Sequence, residues 1–427
     1  MLSFREWAVM VTLPLFIMLT SYANFSMSGL LPLVQANFGT SDSETAMLKT
    51  FGAVAHVTAF TTMWFLGDFL PKKTTLLLGV TMWILLDFAS ILVSPDQFWL
   101  YVIIRALASM CAEIFRIIVN VLQAENFKGK FLTGALTLNI VGESIALLFA
   151  PIISSIFVDN NVPWQWGMII GPSLIIPVLV SSSIFLRQKP RVPVDKPTSI
   201  LRNALGVLGI PSYLLLIISQ AVTMFYSMNL TFWLPSIVLY SSQVYPKVFL
   251  GLSYPAVSTL TAVFTFGGMF VGGFAVPYLT QFLQSSTALA IPLVYAACST
   301  LETLSYITQI TMVTRIFPIF ASTYLIDGIA SSGIMLNNLQ IVLTTTPASQ
   351  RASALSLLRL TTSLGLMPAP QIIAATFLYT WFMPLISTIL CLFIIRFYKN
   401  DVQRANRVDH DAEEESKPLI DGKHIYD

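Results

Sequence analysis

Eight ionisable side chains fall inside long apolar runs: Asp87, Arg105, Glu113, Arg116, Glu143, Glu302, Asp327 and Arg359. A charge in hydrocarbon costs at least a few kcal/mol, so such a residue is expected to face a cavity, a partner or a transport path. The densest group is Arg105-Ala-Leu-Ala-Ser-Met-Cys-Ala-Glu113-Ile-Phe-Arg116. At about 100° per residue, Arg105, Ser109 and Arg116 share a narrow helical stripe, and Glu113 stands one turn from Arg116. On a cavity wall, Arg105 with Ser109 suits an anionic headgroup and Glu113 suits a proton. The same spacing also suits an internal Glu113–Arg116 pair that only fixes helix packing. Glu143 and Asp327 are further candidates for carrying a proton, whereas Asp87 and Glu302 read as structural acids hydrogen-bonded to neighbouring helices. Arg359 either faces the cavity or snorkels to the interface, the second being favoured.

Two other constellations point to control rather than substrate. The turn Gly67-Asp68-Phe-Leu-Pro-Lys72-Lys73 follows an apolar run. Its glycine permits close helix approach, and its aspartate can accept from a neighbouring helix end or pair with Arg116. Gly67, Asp68, Lys72 and Arg116 together form a candidate conformational latch. Near the end of the chain, Glu415-Ser-Lys-Pro-Leu419-Ile420 fits the acidic dileucine pattern that adaptor complexes read when sorting membrane proteins to endosomes and lysosomes.

Catalysis has no foothold. Of the three histidines, His410 and His424 lie in the polar tail, and no phosphate loop or metal-ligand spacing occurs, so neither an enzyme nor a metal or other cofactor is expected. A net charge of +2 without a basic stripe gives no support for nucleic-acid binding. Cys111, Cys298 and Cys391 all sit in apolar stretches, as packing residues do.

The elements that must carry these residues are membrane helices. Only 10% of the 427 residues are charged and 55% are hydrophobic, too little polarity to cover a soluble globule. Apolar runs at 7–33, 46–66, 74–93, 98–122, 132–156, 166–186, 212–238, 253–276, 287–307, 313–343, 352–377 and 380–398 read as spanning helices. The first is too long for a signal-peptide core and lacks a convincing cleavage site. Most of the 23 Lys and Arg fall on the side shared by both termini, leaving Lys49, Lys247 and Arg315 opposite, so both ends are expected in the cytosol. A Pro- and Lys/Arg-containing stretch follows the sixth span. It divides the chain into a first bundle at 1–186, a basic cytosolic linker at 187–211, a second bundle at 212–398 and a disordered cytosolic tail at 399–427. Six spans, a linker and six spans outline an all-α membrane protein of the major facilitator fold.

Along nearly its whole length the chain resembles the spinster family of major facilitator transporters. The likeness rests on Gly29-Leu-Leu-Pro32, Asn37-Phe38-Gly39, Leu66-Gly67-Asp68 through Lys73, Arg105-Ala-Leu107 with Glu113, Trp164-Gln-Trp166, Phe232-Trp-Leu-Pro235, and Pro347 with Arg351-Ala352. It departs where family members carry an Asp-Arg pair in the first span, here Ala23-Asn24-Phe25, and where Phe69 replaces the latch arginine. Ser349 and Gln350 replace paired arginines, and Gly365 to Pro370 diverges from a Gly-Asp-Ala-Gly-Ser-Pro pattern. The resemblance implies a secondary transporter of an amphipathic lipid, chiefly a lysophospholipid leaving lysosomes or late endosomes, with a proton as coupling partner. A phosphorylated sphingoid base or small solute moved without coupling is the alternative, as is a plasma-membrane location. A transport-inactive receptor or scaffold is a third reading. A monomer is expected, with adaptor complexes and membrane lipids as its other partners.

Overall fold

Ser3 opens the first helix. Its hydroxyl accepts from the backbone N–H of Glu6 at 3.3 Å, and the Glu6 carboxylate accepts from the Ser3 N–H at 2.7 Å, a reciprocal cap. Helix α1 (Phe4–Gly29) then stops short of the expected 7–33 span, because Pro32 cannot continue its hydrogen-bond ladder and instead starts α2 (Leu31–Phe38). Gly39, at φ +62°, closes α2 in the left-handed region. A second reciprocal cap, Ser41 with Glu44, opens α3 (Asp42–Leu66).

The computed structural model describes residues 3–160, 162–186, 205–223, 247–252, 254–312, 315–366 and 383–415. After α3 come α4 (Lys72–Ile91), α5 (Phe98–Asn126), α6 (Lys130–Asp159) and α7 (Trp164–Phe185). The second half holds α8 (Pro211–Thr223), α9 (Tyr254–Gln284), α10 (Ala290–Met312), α11 (Phe317–Thr345), α12 (Arg351–Leu366) and α13 (Met383–Glu415). Seven of the described helices are long and apolar enough to cross a bilayer. In the first half α1 packs on α6 and α7, and α5 on α3 and α4; in the second, α11 packs on α9 and α10, and α10 on α13. The halves meet where α3 lies on α12 and α6 lies on α9 and α11.

Glycines set the closest of these contacts. A Cβ on Gly268 of α9 would lie 2.1 Å from the Leu325 carbonyl oxygen of α11, and one on Gly328 would lie 2.3 Å from the Thr265 oxygen. The two backbones therefore touch, and dispersion between them replaces a hydrophobic drive that lipid cannot supply.

Both ends of the described chain lie on one face. Arg5 Nε donates to the Phe185 carbonyl at 2.7 Å and Lys73 Nζ to that of Ser183 at 2.9 Å. On the same face Asp401 accepts from the N–H of Ser212 at 2.9 Å, and Asp409 from that of Ala348 at 2.8 Å. These bonds correct one expectation. The segment read as a disordered tail from residue 399 is helical to Glu415, continuous with the last span. Its acids cap the starts of α8 and of the turn before α12, Ala405 is buried, and the Tyr398 hydroxyl lies 3.0 Å from that of Thr344. Most of the expected linker, 187–204, lies outside the described residues, as do Leu419 and Ile420 of the sorting pattern, while Glu415 ends α13.

Candidate functional site

On α5, Glu113 and Arg116 stand one turn apart and their side chains meet at 3.4 Å. Arg116 reaches further, to Glu143 of α6 at 2.7 Å and to the Ser21 hydroxyl of α1 at 3.1 Å. Gly142 makes this possible, since a Cβ there would stand 3.1 Å from Met18 Cβ, so α6 comes close enough to α1 for Glu143 to meet Ser21. Towards the terminal face a ladder of amides continues the polar strip. Gln123 and Asn139 exchange two hydrogen bonds of 2.8 Å, and Asn139 also donates to Asn120 at 3.0 Å.

This strip faces the second bundle. A cavity of about 30 Å³ lies between the halves, lined by Glu113, Arg116, Asn120, Asn139 and Glu143 on one side and by Met335, Leu339, Leu355 and Arg359 on the other. That volume has room for one or two waters and is too small for an acyl chain. Arg359 is thus a cavity residue rather than a snorkelling one, close enough to act electrostatically on Glu143. Two carboxylates and two guanidinium groups face one another, so the formal charges balance across the plane on which the bundles meet.

Arg105 and Ser109 are placed elsewhere. Arg105 forms a buried ion pair with Asp87 of α4, inside the first bundle, and neither it nor Ser109 lines the cavity. Asp87 therefore serves as the counter-ion that the sequence left unidentified. In the second bundle the hydroxyl of Ser331 on α11 donates to Glu302 of α10 at 3.3 Å. Asp327, one helical turn from Ser331, keeps a buried carboxylate oxygen without a hydrogen-bond partner.

The latch candidates divide. Asp68 accepts from the backbone N–H groups of Ala352 at 3.0 Å and Ser353 at 3.3 Å, and from the Ser353 hydroxyl, so it caps the first turn of α12 from the opposite bundle. Gly67 makes room, as a Cβ there would lie 3.0 Å from Ala352 Cβ. Lys72 Nζ donates to the Gly67 carbonyl at 2.9 Å and holds the turn. Burial pushes the Asp68 carboxyl up to about 6, against the opposing pull of Ser353 and Lys72. Arg116 takes no part, being committed to Glu143 about 15 Å of helix rise from the Asn126 end of α5. Of the expected aromatic wall, Phe225, Tyr226, Phe232 and Trp233 lie outside the described residues, and Phe264 and Phe266 sit half-buried on α9.

Two bundles joined along α3/α12 and α6/α9, with a charged cluster between them, define a carrier of the major facilitator type, and the Major Facilitator Superfamily model matches residues 14–306. The chain belongs to that superfamily and is a multi-pass membrane transporter, not an enzyme. Within it the chain is a divergent relative of the spinster proteins. It is 24% identical over 256 residues to Protein spinster homolog 1 of Xenopus laevis, covering 58% of this chain and 48% of that one. It is likewise 24% identical over 288 residues to the Sphingosine-1-phosphate transporter SPNS2 of Xenopus tropicalis, covering 64% of this chain and 54% of that one. The match thus spans about half the length of these curated relatives. Among solved structures, a bacterial homologue of the iron transporter ferroportin in an outward-facing state superposes with a TM-score of 0.64 at 15% identity, over 93% of this chain and 100% of that one. The human organic anion transporter MFSD10 gives 0.65 at 13% identity, over 92% and 99%. At these identities the likeness establishes the fold.

Proposed function

We propose that this protein carries an amphipathic lipid with an anionic headgroup, chiefly a lysophospholipid, out of lysosomes or late endosomes by alternating access of its two bundles. The observation that supports this most is the cluster of Glu113, Arg116, Glu143 and Arg359 on the plane between the bundles, where four ionisable groups at membrane depth suit a transport path. On this reading Arg116 and Arg359 present cations to the headgroup. Arg105, with Ser109 beside it, would join them only in a state in which its pair with Asp87 is broken. Glu113, the more weakly held partner of Arg116, takes the coupling proton, with Glu143 and Asp327 as further candidates.

The terminal face, rich in Lys and Arg, is then cytosolic. Gly67, Asp68 and Lys72 form the latch that closes it, leaving the path to open toward the lumen. The charged lining disfavours the receptor reading, which calls for an apolar-filled centre. A phosphorylated sphingoid base moved across the plasma membrane is the second reading, favoured by the similarity to SPNS2.

Uptake into proteoliposomes containing the full chain tests these statements. Labelled lysophospholipid should accumulate, and Arg359→Gln should reduce the rate at least tenfold. Glu113→Gln should remove the dependence on a pH gradient. No lysophospholipid flux, with flux of a phosphorylated sphingoid base, would select the second reading, and full flux in Arg359→Gln would remove that arginine from the path.

A further inference from the structure

The faces on which α3 and α12 meet run on past the latch, and there they part. Gly67, Met63, Phe60 and His56 succeed one another along one side of α3 at spacings of four, three and four residues. Ala352, Ser356, Arg359 and Ser363 repeat those spacings along α12. The close approach of Gly67 to Ala352 turns the two rows toward each other. Ser353, next to Ala352, donates to the Trp64 carbonyl at 2.7 Å, so the helices run antiparallel, with Phe60 level with Arg359 and His56 with Ser363. Burial ends at the same level on both. Met63 and Phe60 are 0% and 3% exposed and Ala352 and Ser356 both 0%, whereas His56, Arg359 and Ser363 are all partly exposed. Below that level the bundles touch, and above it they separate, which sets His56 and Arg359 just above the floor of the gap.

Charge selects the occupant. On α5 and α12, the helices packed on α3, Arg105 is paired with Asp87, Arg116 with Glu113 and Glu143, and Arg351 with Asp409. On α3 itself Lys49 follows two turns beyond His56. Among the described residues neither His56 nor Arg359 forms a hydrogen bond or an ion pair. The imidazole lies 6.2 Å from the Phe60 ring, and Arg359 acts on Glu143 only through the field between them. A cation is repelled beside a guanidinium and a neutral solute leaves it unmatched. An oxyanion accepts from the guanidinium fork and from an imidazolium alike. The two groups stand about 6 Å apart along the helix axes, a gap that the long arginine side chain closes on a shared phosphate. We propose that protonated His56 and Arg359, with the Ser363 hydroxyl, form an anion subsite for the phosphate of a headgroup where the path opens away from the terminal face. Its assignment to the lumen rests on the carrier reading above. Imidazole is the side chain that changes charge between about pH 5 and 8. His56 thus adds one positive charge to the balanced central cluster in acid and withdraws it as pH rises, so the headgroup is gripped on the acidic side and let go on the neutral one.

Binding of labelled lysophosphatidylglycerol to the purified full chain in detergent tests this, because its phosphodiester keeps one negative charge in acid and at neutrality. Affinity at about pH 5.5 should exceed that at about pH 7.5 by about fivefold or more. His56→Gln should bind at both pH values as weakly as the unmutated chain does at the higher one. His56→Arg, with a fixed charge, should bind tightly at both, an outcome that a merely structural histidine would not give. Displacement of the label by a phosphorylated sphingoid base, stronger than by unlabelled lysophosphatidylglycerol and lost in His56→Gln, would support the subsite and assign it to a phosphomonoester. No saturable binding in acid would overturn the proposal. So would weak binding by His56→Arg at both pH values, or an unaltered pH dependence in His56→Gln, which would place that dependence on Glu113. Binding that follows the expected pattern without flux removes the carrier reading and keeps the subsite, whereas flux with pH-independent binding does the reverse.

Discussion

Replacing Asp68 by Ala removes the side chain that joins the α3–α4 turn to the first turn of α12 and leaves the Ser353 hydroxyl its bond to the Trp64 carbonyl of α3 at 2.7 Å. Three acceptor contacts vanish, from the N–H groups of Ala352 and Ser353 and from the Ser353 hydroxyl. Loss of a helix cap costs about 0.5–2 kcal/mol, and an orphaned donor about 1–3 kcal/mol where water cannot reach it. Water has some access to this turn and such terms do not add in full, so a total near 2–3 kcal/mol is expected. The ratio of closed to open terminal face should then fall by about 30- to 140-fold. Spin labels on the exposed positions Thr74 and Arg404, one in each bundle, with Cys111, Cys298 and Cys391 replaced, report that ratio by pulsed electron double resonance. The unmutated protein should give one short distance and Asp68→Ala a second, longer one. Unchanged distances would refute the idea that this cap holds the bundles together.

The same labels test the pH response. The Asp68 carboxyl is pushed up to about 6 in the closed arrangement and returns toward an ordinary carboxylate value when the turn is freed, so the closed form binds the proton more tightly. Closure is accordingly most favoured in acid, weakens as pH on this face rises through about 6, and levels off above it. Asp68→Asn, neutral at every pH, should lose this dependence and keep most of the closed population.

Asp87→Ala should destabilise the protein by about 3–5 kcal/mol, seen as a lower melting temperature, because Arg105 is left buried without its counter-ion. Asp87→Leu combined with Arg105→Met should recover most of that loss, and full lipid flux in the recovered variant would exclude Arg105 as a headgroup ligand. Gly268→Val should lower the melting temperature through an overpacking cost of about 1–3 kcal/mol or more, since its Cβ has nowhere to go but into the Leu325 carbonyl.

Local spacing made part of this site legible. Glu113 and Arg116 lie on one helix at a separation that brings side chains together, so their meeting could be read from the chain alone. The Gly67-Asp68 turn likewise showed its chemistry, although not its partner, because the partner is the backbone of α12, nearly 300 residues on, and backbone N–H groups leave no mark in a sequence. The pairing of Arg105 with Asp87 crosses two helices, and helical periodicity says nothing of how neighbouring helices are rotated. Arg359 was ambiguous for the same reason, since its direction depends on how α12 turns toward α6. The break after α1 was signalled by Pro32 inside an otherwise unbroken apolar run. The helical tail was concealed by its composition: Asp401 and Asp409 read as marks of a solvated segment, yet each meets a backbone N–H at the start of another element.

That tail gives the last span a mechanical property. The 33 residues of α13 make a rod of about 50 Å, well beyond the roughly 30 Å of hydrocarbon, so its outer third projects from the bilayer as an arm. Rotating such a rod by about 5° about its midpoint moves Asp409, about 15 Å from that midpoint, by about 1.3 Å, enough to stretch its 2.8 Å bond with Ala348 beyond hydrogen-bonding range. A tilt of the last span against the rest of its own bundle, too slight to open a path, would thus already register along the arm, which makes the tail a displacement gauge for the span to which it is fused.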